Sequence, residues 1–156
     1  MTARLNPFAA APAQMKTWLD MSQQIAGDLE PSLLELVKIR VSQINGCANC
    51  LHMHTQDARA MGETEQRIYL LSAWHEAPGY TDRERAALAW TDALTQVSTA
   101  RAPDAVYDAL KAQFSEAEQV QLTLMINVIN GWNRIAVGFN MFNPYKPAHQ
   151  PELAEA

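Results

Sequence analysis

Apolar residues recur along this chain at three- and four-residue spacing, the signature of helices with one buried side. In "MKTWLDMSQQIAGDL" the recurrent positions are Met15, Trp18, Leu19, Ser22, Ile25 and Ala26, with Gly27 near the end. "EPSLLELVKIRVSQING" opens with Pro31, suited to a first helical turn, and closes at Asn45-Gly46. Its Leu33, Leu34, Val37, Val41 and Ile44 form a single stripe. A further helix runs from about Cys47 to Ala60 and stops at Met61-Gly62, and "TEQRIYLLSAWHEA" continues the pattern as far as Pro78-Gly79. Thr81 with Glu84, and Ser115 with Glu118, read as capping boxes that start "RAALAWTDALTQV" and the long "QVQLTLMINVINGWNRIAVGF". Pro103 starts a shorter helix, "DAVYDALKAQF", between them. No strand alternation, repeat or linker interrupts the series. The expected fold is all-α, a single-domain helical bundle over residues 15–142, with an N-terminal arm at 1–14 and a Pro-rich tail at 143–156 that lacks periodicity.

Composition narrows the function classes. Apolar residues make up 48% of the 156 and charged residues 19%, enough for a real core. Twelve Lys plus Arg stand against seventeen Asp plus Glu, a net charge of −5 that argues against nucleic-acid binding. No apolar run approaches the roughly 20 residues of a membrane span, and "MTARLNPFAAAPAQ" has no apolar signal core, so a cytoplasmic protein is expected.

The chemistry concentrates in "NGCANCLHMH", Asn45 to His54, which holds both cysteines of the chain. At 100° per residue Cys50 lies roughly 60° from Cys47 and His54 roughly 20° from it, whereas His52 points elsewhere. The Asn45-Gly46 break puts Cys47 at a helix N-terminus, where unpaired N–H groups and the helix dipole favour thiolate over thiol. With an imidazole and a second thiol in reach, these are the parts of a thiol redox site. Covalent haem attachment would need His directly after the second Cys, where Leu51 stands. A structural zinc site needs four ligands; Cys47, Cys50 and His54 supply three, with Glu35 or His52 left as a fourth. Thioredoxin-like architecture would need strands. Two cysteines buried on a core helix face remain the plain alternative.

"ELVKIRVSQINGCANCLHMH" resembles the alkylhydroperoxidase D branch of the carboxymuconolactone decarboxylase-like superfamily. That pattern places a Glu twelve residues before the C-x-x-C and a His four residues after its second Cys; Glu35, Cys47, Cys50 and His54 fit. "TDRERAALAWTDALT" and "LTLMINVINGWNRIAVGF" are also similar to the family's later helices, so the likeness runs from about Pro31 to Phe139. It implies a helical protein that assembles as a trimer or hexamer and reduces hydrogen peroxide or organic hydroperoxides, without bound cofactor or metal. Carried over, Cys50 attacks the peroxide, Cys47 closes a disulfide, His54 and Glu35 relay the proton, and a dithiol partner (thioredoxin-like or a lipoyl protein) restores the thiols. Where the family commonly has a His before the second Cys, this chain has Asn49. The alternatives are a lactone-processing enzyme of the decarboxylase type, and a non-catalytic redox-sensing or metal-binding module.

Outside the motif, periodicity and resemblance disagree about Glu35. By periodicity it sits opposite the apolar stripe, near Lys38 and Ser42, and reads as a solvated carboxylate. The resemblance implies that this second face is packed too, and Leu36 and Ile39 agree. His75 reads as a helix-end residue and His149 falls in the tail. Asp82, Arg83, Glu84 and Arg85 read as a solvated first turn. Asn127, Asn130 and Asn133 recur on an apolar helix and are expected to bond a neighbouring helix or subunit.

Overall fold

The computed structural model describes residues 2–25, 27 and 29–142; Ala26, His149 and the tail at 143–156 lie outside them. Among the described residues there are eight α-helices and no strand: α1 (Pro7–Ala10), α2 (Pro12–Gln24), α3 (Pro31–Asn45), α4 (Ala48–Ala60), α5 (Glu65–Leu70), α6 (Asp82–Thr95), α7 (Asp104–Gln113) and α8 (Glu116–Phe139). The all-α expectation holds. Both capping boxes form as the sequence predicts, with Thr81 and Ser115 accepting from the Glu84 and Glu118 N–H groups. Within the segment read as an arm, residues 7–10 are helical and α2 begins at Pro12, where proline's missing N–H costs nothing.

Helix α3 is the centre of the bundle, packed by α4, α6 and α8. On one side Leu33, Leu34, Val37 and Val41 join Leu122, Ile126 and Ile129 of α8 in the larger core cluster. On the other, Leu36 and Ile39 meet Leu71, Trp74 and Leu88 in a second cluster. A helix covered on both sides has no solvent face to spare. Glu35 and Ser42 are therefore buried along with the apolar residues, and Glu35 is only 4% exposed. The single-stripe reading that put Glu35 in solvent is corrected: it counted one apolar face where α3 has two.

The segment after α5 departs from the expected continuous helix. A 3-10 turn at Leu71–Ala73 follows, and the chain then winds irregularly to α6. Leu71, Trp74, Ala77 and Tyr80 are all buried, a spacing of three that suits a tighter winding than the α-helix. The carbonyls this winding leaves without helical partners are met by Arg85. Its guanidinium donates to Tyr80 O at 3.1 Å, Trp74 O at 3.0 Å and Ala77 O. Nor is the start of α6 merely solvated: Arg83 bridges Glu30 and Glu118, and Glu84 pairs with Arg67. His75 stacks on Trp74 at 3.7 Å between ring centroids, in this turn and away from the cysteines.

No described helix is long and apolar enough to cross a membrane. Leu36 is fully buried where α3 meets the second cluster. Leu36→Ala is expected to cost about 2–5 kcal/mol of stability, the range for truncating a buried leucine in a core that closes only partly around the gap. Urea unfolding followed by far-ultraviolet circular dichroism measures it.

Candidate active site

The turn between α3 and α4 sets the position of both cysteines. Gly46 adopts the left-handed conformation (φ 65°, ψ 33°) that closes α3, and the Cys47 N–H donates to Ser42 O at 3.0 Å. Cys47 is the N-cap of α4, and its sulfur accepts from the Cys50 N–H at 3.4 Å. The two cysteines are joined as a disulfide with 5.4 Å between their Cα atoms, and both are buried. In the reduced protein their sulfurs would lie at the positive end of the 13-residue helix α4, which favours a thiolate.

An amide cluster braces this turn from α8. Asn45, next to Gly46, donates to the side-chain oxygens of Asn130 and Asn133, each at 3.0 Å. Asn133 in turn donates to Ser42 Oγ at 3.1 Å, and Asn130 to Thr95 Oγ1 at 3.2 Å. Asn130 and Asn133 thus bond neighbouring helices of the same chain, whereas Asn127 is exposed. Met125 and Ile129 belong to the core.

His54 follows Cys50 by one turn of α4, and its Nδ1 lies 2.9 Å from Glu35 Oε2. The other Glu35 oxygen accepts from Lys38 Nζ at 2.7 Å. Burial alone would push the Glu35 carboxyl up, but the hydrogen bonds from His54 and Lys38, with the Lys38 charge, outweigh it and hold the group below its ordinary value. An ionised Glu35 accepts from Nδ1–H and so leaves Nε2 as the ring nitrogen able to take a proton. Of the four residues singled out in the sequence, Cys47 is joined to Cys50 and His54 to Glu35, and Cys50 and His54 border one cavity. His52 is not among them; it sits edge-on to Phe142. Of the zinc set considered from sequence, His54 and Glu35 are hydrogen-bonded to each other and the two cysteines are bonded as a disulfide. Glu35, His54 and Asp57 offer ligand atoms within 4.8 Å of one another, a constellation that could hold a cation. Lys38 already occupies one Glu35 oxygen and adds a like charge there.

Two cavities flank the cysteines. One, of about 300 Å³, reaches Cys50, His54 and Asn49 and is otherwise lined by apolar side chains, among them Phe8, Leu19, Met53 and Trp132. The other, of about 360 Å³, lies over Cys47 and is bounded by Ala48, Val137, Asn140 and Phe142. Sequence reasoning missed Lys38 as the second partner of Glu35, although its spacing of three residues on one helix was visible. It also missed Phe8, whose place beside Cys50 depends on how the N-terminal segment folds back.

The sequence pattern of the carboxymuconolactone decarboxylase family matches residues 12–93. The uncharacterized protein YdfG of Bacillus subtilis is 45% identical over 138 residues, which cover 88% of this chain and 94% of that protein. A crystal structure of a protein of unknown function from Agrobacterium tumefaciens, provisionally assigned to antioxidant defence as an AhpD, is 42% identical with a TM-score of 0.90, covering 93% of this chain and all of that one. A peroxidase-related protein from Silicibacter sp. TM1040 shares the fold at 22% identity, with a TM-score of 0.77 over 86% of this chain and 72% of that one.

The lowered Glu35 value carries a prediction for acid stability. The folded protein binds fewer protons at this group than the unfolded chain, so its contribution is complete above the ordinary carboxyl value of 4.5 and is lost as the pH falls through the lowered folded value. Glu35→Gln is expected to unfold at lower urea than wild type near neutral pH and to lose less as the pH falls below 4.5. Urea midpoints across the acid range check this; parallel curves would remove Glu35 as a contributor.

Proposed function

The chain belongs to the carboxymuconolactone decarboxylase family, in its alkylhydroperoxidase D-like branch, and on that premise we propose that it is a thiol-dependent peroxidase working through Cys47 and Cys50. The observation that carries this reading is the cysteine pair at the start of α4, with the Glu35–His54 hydrogen bond one turn further on. Two thiols that can close a disulfide supply two electrons. A base oriented by a carboxylate supplies the proton traffic.

In the proposed cycle the Cys50 thiolate attacks the terminal oxygen of the hydroperoxide and the O–O bond breaks. The remaining oxygen leaves as alcohol or water with a proton from the His54 imidazolium, and Cys50 becomes a sulfenic acid. Cys47 then attacks the Cys50 sulfur, the S–O bond breaks, and water leaves with the Cys47 proton. The disulfide formed is reopened by an external dithiol, thioredoxin-like or lipoyl, which is itself oxidised to a disulfide. Glu35 is a positioning residue: it accepts from Nδ1–H and so fixes the tautomer and orientation of His54. Asn49 stands where relatives commonly have a His and cannot shuttle a proton.

Assembly into a homo-oligomer, trimer or hexamer, belongs to the same proposal. Its surface is not the Asn127–Asn130–Asn133 series, most of which is used inside the chain. Val120 and Leu124, one turn apart on α8, are exposed, Val120 to 58%, and they offer an apolar face for a second copy. Sedimentation equilibrium at micromolar concentration is expected to show the assembly; a monomer there would count against it.

Peroxide consumption with a dithiol reductant tests the reaction. Cys50→Ser is expected to abolish turnover, and Cys47→Ser to stop after one turnover with a sulfenic acid or mixed disulfide at Cys50. Labelling that marks Cys47 in preference to Cys50 would reverse the roles, and disulfide formation without steady consumption would indicate a sensor. For the relay, Glu35→Gln and His54→Ala are expected to slow Cys50 alkylation and change its pH profile. The loss of turnover should be roughly 10²–10⁴-fold for His54→Ala, as for other general bases. Asn49→His is expected to raise the rate. One pH profile shared by all four proteins would leave Glu35 a structural carboxylate.

A further inference from the structure

The cavity beside Cys50 and His54 is a poor fit for a small polar oxidant. Phe8, Leu19, Met53, Trp132, Ala136 and Met141 form its walls, and the polar side chains that reach it are Asn49, His54 and Cys50 itself. Hydrogen peroxide has a donor and acceptor lone pairs on each oxygen, and apolar walls leave such groups without partners, which disfavours entry. A volume of about 300 Å³ also far exceeds what so small a molecule fills; it lies at the lower end of the range for sites that hold organic ligands. A hydroperoxide with an apolar tail has the opposite balance. Its tail displaces water from the walls, and its single O–O–H end meets the few polar groups.

Two walls are aromatic, and their placement is built in. Trp132 donates from Nε1 to Ser22 Oγ at 3.0 Å and packs on Trp18 at 6.0 Å between ring centroids. Trp18 lies so close to Gly131 that a Cβ there would come within 2.5 Å of its ring, so Gly131 is what lets α2 and α8 approach. Phe8 stacks on Trp132 with 6.3 Å between centroids and 18° between planes. It belongs to α1, which the end of α8 holds in place. The Arg4 N–H donates to Phe139 O at 2.9 Å, Arg4 Nη1 to Gly138 O at 3.1 Å, and Asn140 Nδ2 to Thr2 O at 2.8 Å. Asn6 caps α1 through the Phe8 and Ala9 N–H groups. Phe8 is 42% exposed, so its ring is a wall of the cavity and not part of the core. Cys50 and His54 lie within residues 12–93 that match the family, whereas Phe8, Trp132 and Met141 lie outside them.

We propose that this cavity binds organic hydroperoxides with a ring-bearing apolar tail, and that Phe8 and Trp132, with α1 as cap, determine that specificity. The proposal rests on the peroxidase reading. The Cys50 thiolate takes the terminal oxygen and is oxidised to the sulfenic acid; the O–O bond breaks, and the tail leaves as its alcohol with the proton from His54. The alcohol keeps the tail, so it occupies the same cavity.

That last point gives a test independent of turnover. The disulfide form, labelled with ¹³C at the methionine methyls, is titrated with 2-phenyl-2-propanol and with tert-butanol, and the shifts of Met53 and Met141 are followed. The ring-bearing alcohol is expected to shift both methyls and to bind about tenfold or more tighter than tert-butanol, and Phe8→Ala is expected to weaken it by about tenfold. Met53→Trp, which fills the cavity from an exposed position, is expected to abolish the binding. In turnover with dithiothreitol, the ratio of kcat/KM for cumene hydroperoxide to that for hydrogen peroxide is expected to fall about tenfold in Phe8→Ala. Thermal unfolding establishes that both variants are folded. Absence of shifts at Met53 and Met141, or ligand affinity and substrate ratio unchanged in both variants, overturns the cavity assignment. Ring-specific binding without consumption of any hydroperoxide leaves the cavity as an apolar-ligand site and removes the peroxidase reading instead.

Discussion

The structure turns on the burial of α3 from every side. Once Leu33, Leu34 and Val37 pack toward α8, and Leu36 and Ile39 toward the 71–88 region, the residue between them has no route to water. That residue is a carboxylate, and a buried carboxylate without partners is too costly to keep charged. Lys38 and His54 supply the partners. The requirement to pair Glu35 therefore reaches across to α4 and fixes the side of that helix that faces α3. Core packing and the proposed chemistry share a constraint, because the rotation of α4 that brings His54 to Glu35 also carries Cys50, one turn earlier on the same helix, into the core cluster that α3 helps to build.

The other end of α4 is held by different means. A left-handed glycine ends α3, and the chain restarts as a helix with Cys47 at its N-cap. Asn45 is bonded to two amides of α8, so the turn is tied to the longest helix as well as to its own neighbours. Buried amides carry several donors and acceptors each, and geometry that satisfies them tolerates little displacement. The turn is braced beside the two bonded sulfurs. The cavities on either side are less strictly determined: one is closed by an N-terminal segment attached to the bundle through a handful of hydrogen bonds.

Elements stabilised by local rules were legible in the residues. The two capping boxes, the proline starts and the glycine stop before Cys47 follow from interactions within a few positions, and each appears where its residues predict. The spacing of Cys50 and His54, one turn apart, is equally local, whereas Cys47 is the extended N-cap just before the helix. Legibility failed where two periodicities overlap. On α3 a second apolar face hid behind the first, so Glu35 looked solvated by pattern, and only the likeness to a known family pointed the other way. After α5 the period of three at Leu71, Trp74, Ala77 and Tyr80 resembles a helix, but the carbonyls it strands are met by Arg85, a residue that looks like surface charge in isolation.

The sequence by itself determined the helical class, most of the starts and stops, and the one-turn spacing of Cys50 and His54, because each depends on backbone geometry repeated every few residues. Tertiary structure alone decided which charges are buried and what they touch. His54 meets Glu35, Asn45 meets Asn130 and Asn133, and Phe8 meets Trp132 only when separate helices are brought together. Burial is a property of the assembled bundle, and the cost of desolvating a charge or an amide arises only there.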